Sequence, residues 1–242
     1  MFNYSWVRDI NIYEKNVLKQ KSTYESFLND ENFKLSKENK QLLNGNWLFD
    51  YATNYSNTKP IEYYYTVPLN LLSGIKVPGH MQLQGYDTPK YVNTQYPWDG
   101  LENIKPPEIP EKFNPVGTYV KVFDMSLDKL DKVIITFEGV ESAYAVWLNN
   151  EFIGYKEDTF TTGSFDITSQ IKDKDNRLVV QVFKWCSGSW LEDQDFFRFS
   201  GIFRDVFIAS VSESHAVDMK ISSKLINDYK DGELLVKLDH LD

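Results

Sequence analysis

The residues with the clearest chemical potential lie in one stretch, SWLEDQDFFRFSGIFRD, which covers residues 189–205. It contains four acids, two arginines and four phenylalanines: Glu192, Asp193, Asp195, Asp205, Arg198, Arg204, Phe196, Phe197, Phe199 and Phe203. Carboxylates are costly to remove from water, whereas phenylalanine side chains favour burial. Two explanations of this mixture stay open: the acids pair with the arginines beneath an apolar cover, or one of the acids holds a ligand.

A second polar stretch, YVNTQYP at residues 91–97, places Asn93 in a loop that ends at a proline. A side-chain amide can donate one hydrogen bond to a hydroxyl group and accept another. Asn93 is therefore a candidate ligand for a sugar, although a turn residue that caps backbone groups is the simpler interpretation. For Asp195 the simpler interpretation is an ion pair with Arg198 or Arg204.

The other reactive residue types form no pattern typical of a catalytic or metal site. His80, His215 and His240 are scattered along the chain without metal-ligand spacing. Cys186 is the only cysteine, and no histidine lies near it in the sequence. Because the chain also has no glycine-rich phosphate loop and no Ser-His-Asp signature, we predict neither a zinc site nor a nucleophilic triad.

The composition is typical of a globular protein with an acidic surface: 42% of residues are hydrophobic, 15% are aromatic, and the net charge is −9. Phosphates would be repelled, so neither nucleic acid nor an anionic membrane is predicted as a partner. One cysteine excludes an intrachain disulfide, which favours a reducing compartment. There is no signal-peptide pattern and no apolar run of about 18 residues, so we expect a cytoplasmic protein.

Short alternating strands dominate the second half of the sequence, whereas all nine prolines lie between Pro60 and Pro115. Because proline cannot donate in a ladder, residues 60–115 are predicted to form loops and edge strands. The Asn149–Asn150 pair inside AYAVWLNNEFIGY predicts a hairpin. With no long amphipathic helix between the strands, the pattern favours an all-β fold, an antiparallel sandwich or jelly roll.

We divide the chain into an N-terminal arm (1–40), a sandwich domain (41–210) and the beginning of a second β domain (211–242). The last part contains two strands around a turn that we place at residues 231–232. Two strands cannot form a stable sheet alone. We therefore expect the chain to be part of a longer protein that was cut inside its second β domain.

The predicted arm is polar and weakly periodic. STYE at residues 22–25 could open a short helix. The alternative is an extended arm that lies on another surface. A second short helix is predicted from Ser36 to near Gly45.

Three stretches resemble the N-terminal part of glycoside hydrolase family 2 β-galactosidases of the lactose-operon type. They are VPGHMQLQGYDTPKYVNTQYP (77–97), NPVGTYVKVF (114–123), and FEGVESAYAVWLNNEFIGYKEDTFTTGSFDIT (137–168) with NRLVVQVFKWCSGSWLEDQDFFRFSGIFRDV (176–206). The resemblance runs from Leu42 to Ala209 with matching order and spacing. The chain departs from the family at Gly79–His80, where the lactose-operon enzyme has an asparagine and a tryptophan, and before Leu42, where the match is weak.

The resemblance implies a jelly-roll (galactose-binding-like) domain followed by an immunoglobulin-like domain. In the family, a (β/α)₈ barrel follows and carries both catalytic glutamates. Retaining glycosidases need two carboxyl groups about 5–5.5 Å apart, and we do not assign Asp193 and Asp195 to that pair. We therefore predict no catalytic residue in this chain and no activity for it alone.

The resemblance does assign two binding positions. Asn93 resembles the family asparagine that hydrogen-bonds the sugar, and Asp195 resembles the aspartate that contacts galactosyl hydroxyls and ligates a sodium ion. A magnesium site would use residues of the barrel, and we predict none in this chain. Glu192 and Asp193 are expected to brace the loop, whereas Arg198, Arg204 and Asp205 are expected to form a partly buried charge network.

The function implied is the sugar-binding portion of a β-galactosidase that hydrolyses terminal β-D-galactosides such as lactose. Its partners would be the β-galactoside, the other domains of its own polypeptide, and further copies in a homo-oligomer. Two alternatives stay open: the corresponding domain of a β-glucuronidase or β-mannosidase, and a stand-alone lectin-like module. A downstream barrel with two glutamates in the reading frame would favour the enzyme over the module.

Overall fold

The computed structural model describes residues 1–22, 27, 29–31, 39–128, 130–192 and 195–240. Its strands are β1 (Glu14–Lys15), β2 (Lys40–Leu42), β3 (Gly45–Ala52), β4 (Ser73–Val77), β5 (Lys90–Val92), β6 (Val116–Phe123), β7 (Lys132–Phe137), β8 (Val140–Glu141), β9 (Ala143–Leu148), β10 (Glu151–Lys156), β11 (Gly163–Asp166), β12 (Asn176–Phe183), β13 (Phe196–Arg198), β14 (Gly201–Ile202), β15 (Val206–Val211), β16 (Ala216–Ile226) and β17 (Asp231–His240). Helical turns lie at Tyr4–Arg8, Tyr55–Asn57, Tyr63–Thr66, Leu69–Leu71, Gln82–Gln84 and Ser187–Trp190. Within these ranges no helix has the length and apolarity needed to cross a bilayer.

Two antiparallel sheets stack to form a sandwich, which confirms the predicted all-β class. The larger sheet has the order β1-β10-β9-β12-β6-β3-β4, and the smaller has the order β11-β7-β15-β2. Alternation along β12 sends Val180 and Val182 into the core between the sheets, where they join Ile135 and Ile208 of the smaller sheet. Fully burying such a side chain contributes about 1.5–3 kcal/mol, so this interface holds the two sheets together.

The outer face of the larger sheet is buried as well, because the N-terminal residues cover it. Val179 and Phe183 of β12 point to this side and belong to a second apolar cluster that includes Phe2 and Trp6. The Phe2 ring is stacked on Phe183 with 5.7 Å between ring centroids. β1 then pairs with β10 at the sheet edge. The first part of the predicted arm therefore packs on the domain itself.

The residue preferences of turns predicted the position of one hairpin correctly and the position of a second turn wrongly. Asn149 and Asn150 have φ angles of 53° and 74°, the left-handed values that a two-residue type I′ turn requires, and they join β9 to β10 as predicted. The turn between β16 and β17 lies at residues 227–230 rather than 231–232. Asn227 and Asp228 take positive φ there, whereas Asp231 is already paired with Ile226.

Residues 40–42 also differ from expectation, since they form a strand where we predicted a helix. β2 pairs with β15, with Leu42 opposite Phe207. The hydrogen bonds of this sheet edge outweigh a weak helical propensity. The helix predicted at residues 22–25 lies largely outside the described residues. In the proline-rich region, β4 forms an edge of the larger sheet, as predicted.

β16 and β17 form a two-stranded sheet of their own. Several of their large apolar side chains are exposed, among them Ile221, Leu225, Leu234 and Leu238. The strand pair predicted for this part of the chain is therefore present. Its assignment to an immunoglobulin-like domain stays a prediction.

Candidate sugar-binding site

The two predicted binding residues lie at the same end of a short ribbon formed by β5 and β13. The strands are antiparallel, with Phe196 opposite Val92 and Arg198 opposite Lys90. Asn93 directly follows Val92, and Asp195 directly precedes Phe196. We call the end with Asn93 and Asp195 the tip of the ribbon, and the end with Lys90 and Arg198 its base.

The Asn93 and Asp195 side chains at the tip are both exposed, so neither belongs to the hydrophobic core. Tyr91, one residue before Val92, donates its hydroxyl to Asp195 Oδ1. This hydrogen bond is the main cause that raises the pKa of the Tyr91 hydroxyl. An exposed carboxylate and an exposed amide on one tip can together accept from, and donate to, the hydroxyls of a polyol.

The loop that leads to Asp195 is anchored by Glu192, as predicted. One carboxylate oxygen accepts from the Thr159 backbone N–H at 2.8 Å, and the other accepts from the Thr159 hydroxyl at 2.8 Å. Asp193, for which we predicted the same role, lies outside the described residues. On the other strand, Lys90 donates to the Pro97 carbonyl oxygen, which closes the loop that contains Asn93.

The two arginines and Asp205 each make hydrogen bonds to neutral groups. Arg198 is buried and donates to the Phe196 and Val92 carbonyl oxygens, so it ties the two ribbon strands together. Arg204 donates to the Phe160 carbonyl oxygen at 3.2 Å, and Asp205 accepts from the Asn44 amide at 2.9 Å. Within the described ranges no ion pair joins Arg204 to Asp205, and the charge network predicted for Arg198, Arg204 and Asp205 stays a prediction.

The aromatic residues of the motif form a stack that continues from the ribbon into the domain. Phe197, which is half exposed, is stacked on Phe199 at 5.5 Å. Phe199 is stacked on His80 at 4.7 Å, and His80 on Phe203 at 5.2 Å. The phenylalanines thus connect β13 to the loop of His80, and they do not simply bury the acids.

A narrow cleft of about 20 Å³, with room for about one water molecule, lies beside the ribbon. Its lining includes Trp98, Trp185, Phe160 and Phe196 as aromatic walls, and Glu141, Glu192 and Arg198 as ionisable groups. Aromatic faces with a few convergent polar groups are typical of sites for neutral, partly apolar ligands such as sugars. This cleft is too small for a hexose, and its lining includes neither Asn93 nor Asp195, so the exposed tip of the ribbon is the candidate sugar-binding surface.

Glu141, which lines this cleft, has a strongly raised pKa. It is 9% exposed, and burial, helped by the nearby Glu192 charge, raises its pKa to about 8. Its Oε2 lies 3.8 Å from His80 Nδ1, and burial lowers the pKa of His80. Both shifts favour neutral side chains, so the contact is not an ion pair at pH 7.

The shift of Glu141 predicts how stability depends on pH. Between its ordinary value of 4.5 and about 8, the folded protein keeps a proton that the unfolded chain releases. The free energy of unfolding therefore falls as the pH rises through this window. Replacing Glu141 by glutamine removes this loss, and we expect the variant to gain about 2–5 kcal/mol relative to the wild type between pH 5 and pH 9.

Urea unfolding of both proteins at pH 5, 7 and 9 measures this effect. Glu62→Gln, at an exposed glutamate, is the matched control and should leave the pH dependence unchanged. Parallel pH profiles for wild type and Glu141→Gln would show that Glu141 is ionised in the folded protein, contrary to our expectation.

Sequence reasoning missed Glu141 entirely. The signal was present, since a lone acid next to Val140 in a run of buried strand residues must be desolvated. Cys186 and Trp98 are fully or nearly fully buried, which agrees with a structural role for both. Among the described residues no three His, Cys, Asp or Glu side chains converge on a metal position.

Two stacked antiparallel sheets with a ribbon that presents polar side chains at its tip define a β-sandwich domain. The chain belongs to the family described as glycosyl hydrolases family 2, sugar binding domain, which matches residues 40–211. This match covers the ribbon, the smaller sheet and every strand of the larger sheet except β1, and it ends before the β16–β17 hairpin.

Named relatives share much of the sequence. The β-galactosidase of Halalkalibacterium halodurans is 45% identical over 241 residues, which cover 98% of this chain and 24% of that protein. The β-galactosidase of Clostridium acetobutylicum is 47% identical over 200 residues, which cover 82% of this chain and 22% of that protein. The chain thus spans about a quarter of the length of these relatives.

A solved structure, a β-glucuronidase from an uncultured Clostridium species, superposes with a TM-score of 0.58 at 18% identity. The superposed region covers 90% of this chain and 36% of the β-glucuronidase chain. At this identity the likeness shows the shared fold, and the fold agrees with the sandwich described above.

Proposed function

We propose that this chain is the sugar-binding portion of a β-galactosidase whose complete polypeptide hydrolyses terminal non-reducing β-D-galactosides such as lactose. Identities of 45% and 47% to proteins named β-galactosidase support the class of enzyme. The observation that carries the role of this chain is the placement of Asn93 and Asp195, both exposed, at one ribbon tip.

In this proposal the chain binds and orients the sugar, and residues elsewhere in the polypeptide break the bond. The Asn93 amide donates to one galactosyl hydroxyl and accepts from another. The Asp195 carboxylate accepts from two hydroxyls, and these charge-assisted hydrogen bonds are stronger than neutral ones. The Tyr91 hydroxyl fixes the Asp195 carboxylate by donating to Oδ1.

Asp195 also suits one ligand position of a sodium ion, because hard cations prefer oxygen ligands. A single carboxylate supplies only part of a coordination shell, and no cluster of acidic or imidazole ligands lies within the described ranges. The remaining oxygen ligands would come from other parts of the polypeptide. The bound ion would supply positive charge that holds the Asp195 carboxylate and an adjacent sugar hydroxyl together.

The alternative glycosidases differ in the group that the sugar carries. A β-glucuronidase must recognise a carboxylate on the sugar, whereas Asp195 at the tip would repel one. The β-glucuronidase likeness is confined to the fold at 18% identity. The β-galactoside is therefore the substrate that the tip chemistry and the relatives favour.

The test uses the complete polypeptide with 4-nitrophenyl β-galactoside, β-glucuronide and β-mannoside. We expect hydrolysis of the galactoside to exceed that of the other two. Preferential hydrolysis of the glucuronide or mannoside would replace the proposal by the corresponding enzyme.

The lectin-like alternative has a separate test, which is calorimetric titration of the 242-residue chain with galactose. We expect very weak or undetectable binding, because Asn93 and Asp195 form only one wall of a site. Micromolar affinity would favour a stand-alone carbohydrate-binding module.

A further inference from the structure

A buried ion pair lies beneath the base of the ribbon. Lys184 Nζ is 2.5 Å from Asp87 Oδ2, and the two side chains are only 2% and 3% exposed. Lys184 directly follows β12, the strand in the centre of the larger sheet. The pair therefore connects the loop before β5 to the end of the central strand of the larger sheet.

Gln82 extends this pair to the other strand of the ribbon. Its Nε2 donates to Asp87 Oδ2 and to Ser200 Oγ, both at 2.8 Å. Its Oε1 accepts from the Ser200 backbone N–H at 2.9 Å. Both Gln82 and Ser200 are buried, so these hydrogen bonds form without competition from water.

The positions of these residues relative to the ribbon are the central observation. Asp87 lies three residues before the first residue of β5, and Ser200 lies two residues after the last residue of β13. The network thus joins the two strands at the base, opposite the tip that carries Asn93 and Asp195. Asp87 takes φ 79°, an unfavourable backbone conformation that persists only where the surroundings hold it.

Stability alone does not explain such a network. The desolvation of a buried ion pair offsets most of its attraction, and apolar residues of similar volume often serve equally well. A ribbon of three paired positions, by contrast, cannot fix its own geometry, since isolated two-stranded pairs are marginal in water. The network provides the directional anchor that the ribbon lacks.

We propose that Asp87 and Lys184 are positioning residues: their ion pair, extended through Gln82 to Ser200, sets the register and spacing of β5 and β13. The relevance of this to catalysis rests on the proposed sugar-binding role of Asn93 and Asp195. The geometric part does not depend on that role, because it concerns only the relative placement of two strands.

The experiment measures this geometry by cross-linking across the tip. Asn93→Cys and Asp195→Cys are introduced together in the 242-residue chain, where the only native thiol, Cys186, is buried. Adjacent positions on paired strands lie within the reach of a disulfide. We call the protein with these two cysteines the parent and expect it to form the disulfide rapidly. The rate of disulfide formation should be lower by about tenfold or more when Lys184→Met or Gln82→Met is added to the parent.

Gln82→Met is the sharper variant, because it disconnects Ser200 and leaves the Lys184–Asp87 charge pair in place. It also keeps the test valid if Lys184→Met fails to fold. Ile135→Val is the matched control: this buried residue lies on β7 of the smaller sheet, so it lowers stability without altering the ribbon. Its cross-linking rate should equal that of the parent.

An unchanged rate in folded Gln82→Met would overturn the proposal, as would failure of the parent itself to cross-link. In the complete polypeptide, Gln82→Met should raise KM for a β-galactoside more than it lowers kcat. If cross-linking responds but KM does not, the positioning inference stands and the sugar-binding role of the tip is what fails.

Discussion

Replacement of Asp195 by asparagine in the complete polypeptide is expected to lower kcat/KM for a β-galactoside about 10- to 100-fold. Asparagine keeps the size of the side chain but removes the charge that strengthens its hydrogen bonds to sugar hydroxyls. The same change removes an anionic ligand, so the sodium concentration for half-maximal activity should rise. Steady-state kinetics over a series of sodium concentrations, at constant ionic strength, measures both effects.

Asp228→Asn is the matched control for this variant. Asp228 lies in the turn between β16 and β17 with φ 53°, a conformation that asparagine tolerates, and it is far from the ribbon in the chain. Its kinetics should match those of the wild type. Wild-type kinetics and an unchanged sodium response in Asp195→Asn would contradict the assignment of Asp195.

Lys184→Met is expected to lower the free energy of unfolding of the chain by about 3–5 kcal/mol, because it leaves the Asp87 carboxylate buried without its cation. For a chain of this size the loss corresponds to a decrease in Tm of roughly 6–20 °C. The double variant Asp87→Asn, Lys184→Met contains no buried charge and should recover much of the loss. Thermal and urea unfolding of the three proteins at pH 7 test this order.

Lys224→Met is the control variant, because it makes the same lysine-to-methionine replacement in an exposed ion pair. Lys224 pairs with Glu233 at 2.9 Å, but the two side chains are 63% and 49% exposed, so its loss should cost about 0–1 kcal/mol. A double variant as unstable as Lys184→Met would indicate that lost packing, and not the orphaned Asp87 charge, causes the destabilisation.

Much of the fold followed from short-range patterns. Alternation in RLVVQVF predicted a strand with two faces, and the two faces of β12 enter two different apolar clusters. The Asn149–Asn150 pair predicted its hairpin because few residues other than glycine adopt positive φ readily. The misplaced turn shows the limit of that rule: Asp231–Gly232 is a good turn pair, but strand pairing incorporated it into β17.

Candidate site residues were found only through a resemblance to family motifs. Composition and spacing left Asn93 as a turn residue and Asp195 as an ion-pair partner. The pairing of β5 with β13 joins segments about 100 residues apart in the chain, and no local signal specifies such a contact. For the same reason Glu141 and the Asp87–Lys184 pair were not predicted, since their burial depends on which distant segments cover them.

The sequence by itself determined the all-β class, most strand positions, the acidic charge and the three stretches that carry the family resemblance, because these properties depend on residue type and short-range periodicity. Only the tertiary structure decided that Asn93 and Asp195 share one ribbon tip, that Glu141 is held neutral, and that Lys184 reaches Asp87. These outcomes depend on sheet assembly, which brings sequence-distant side chains together and excludes water from some of them.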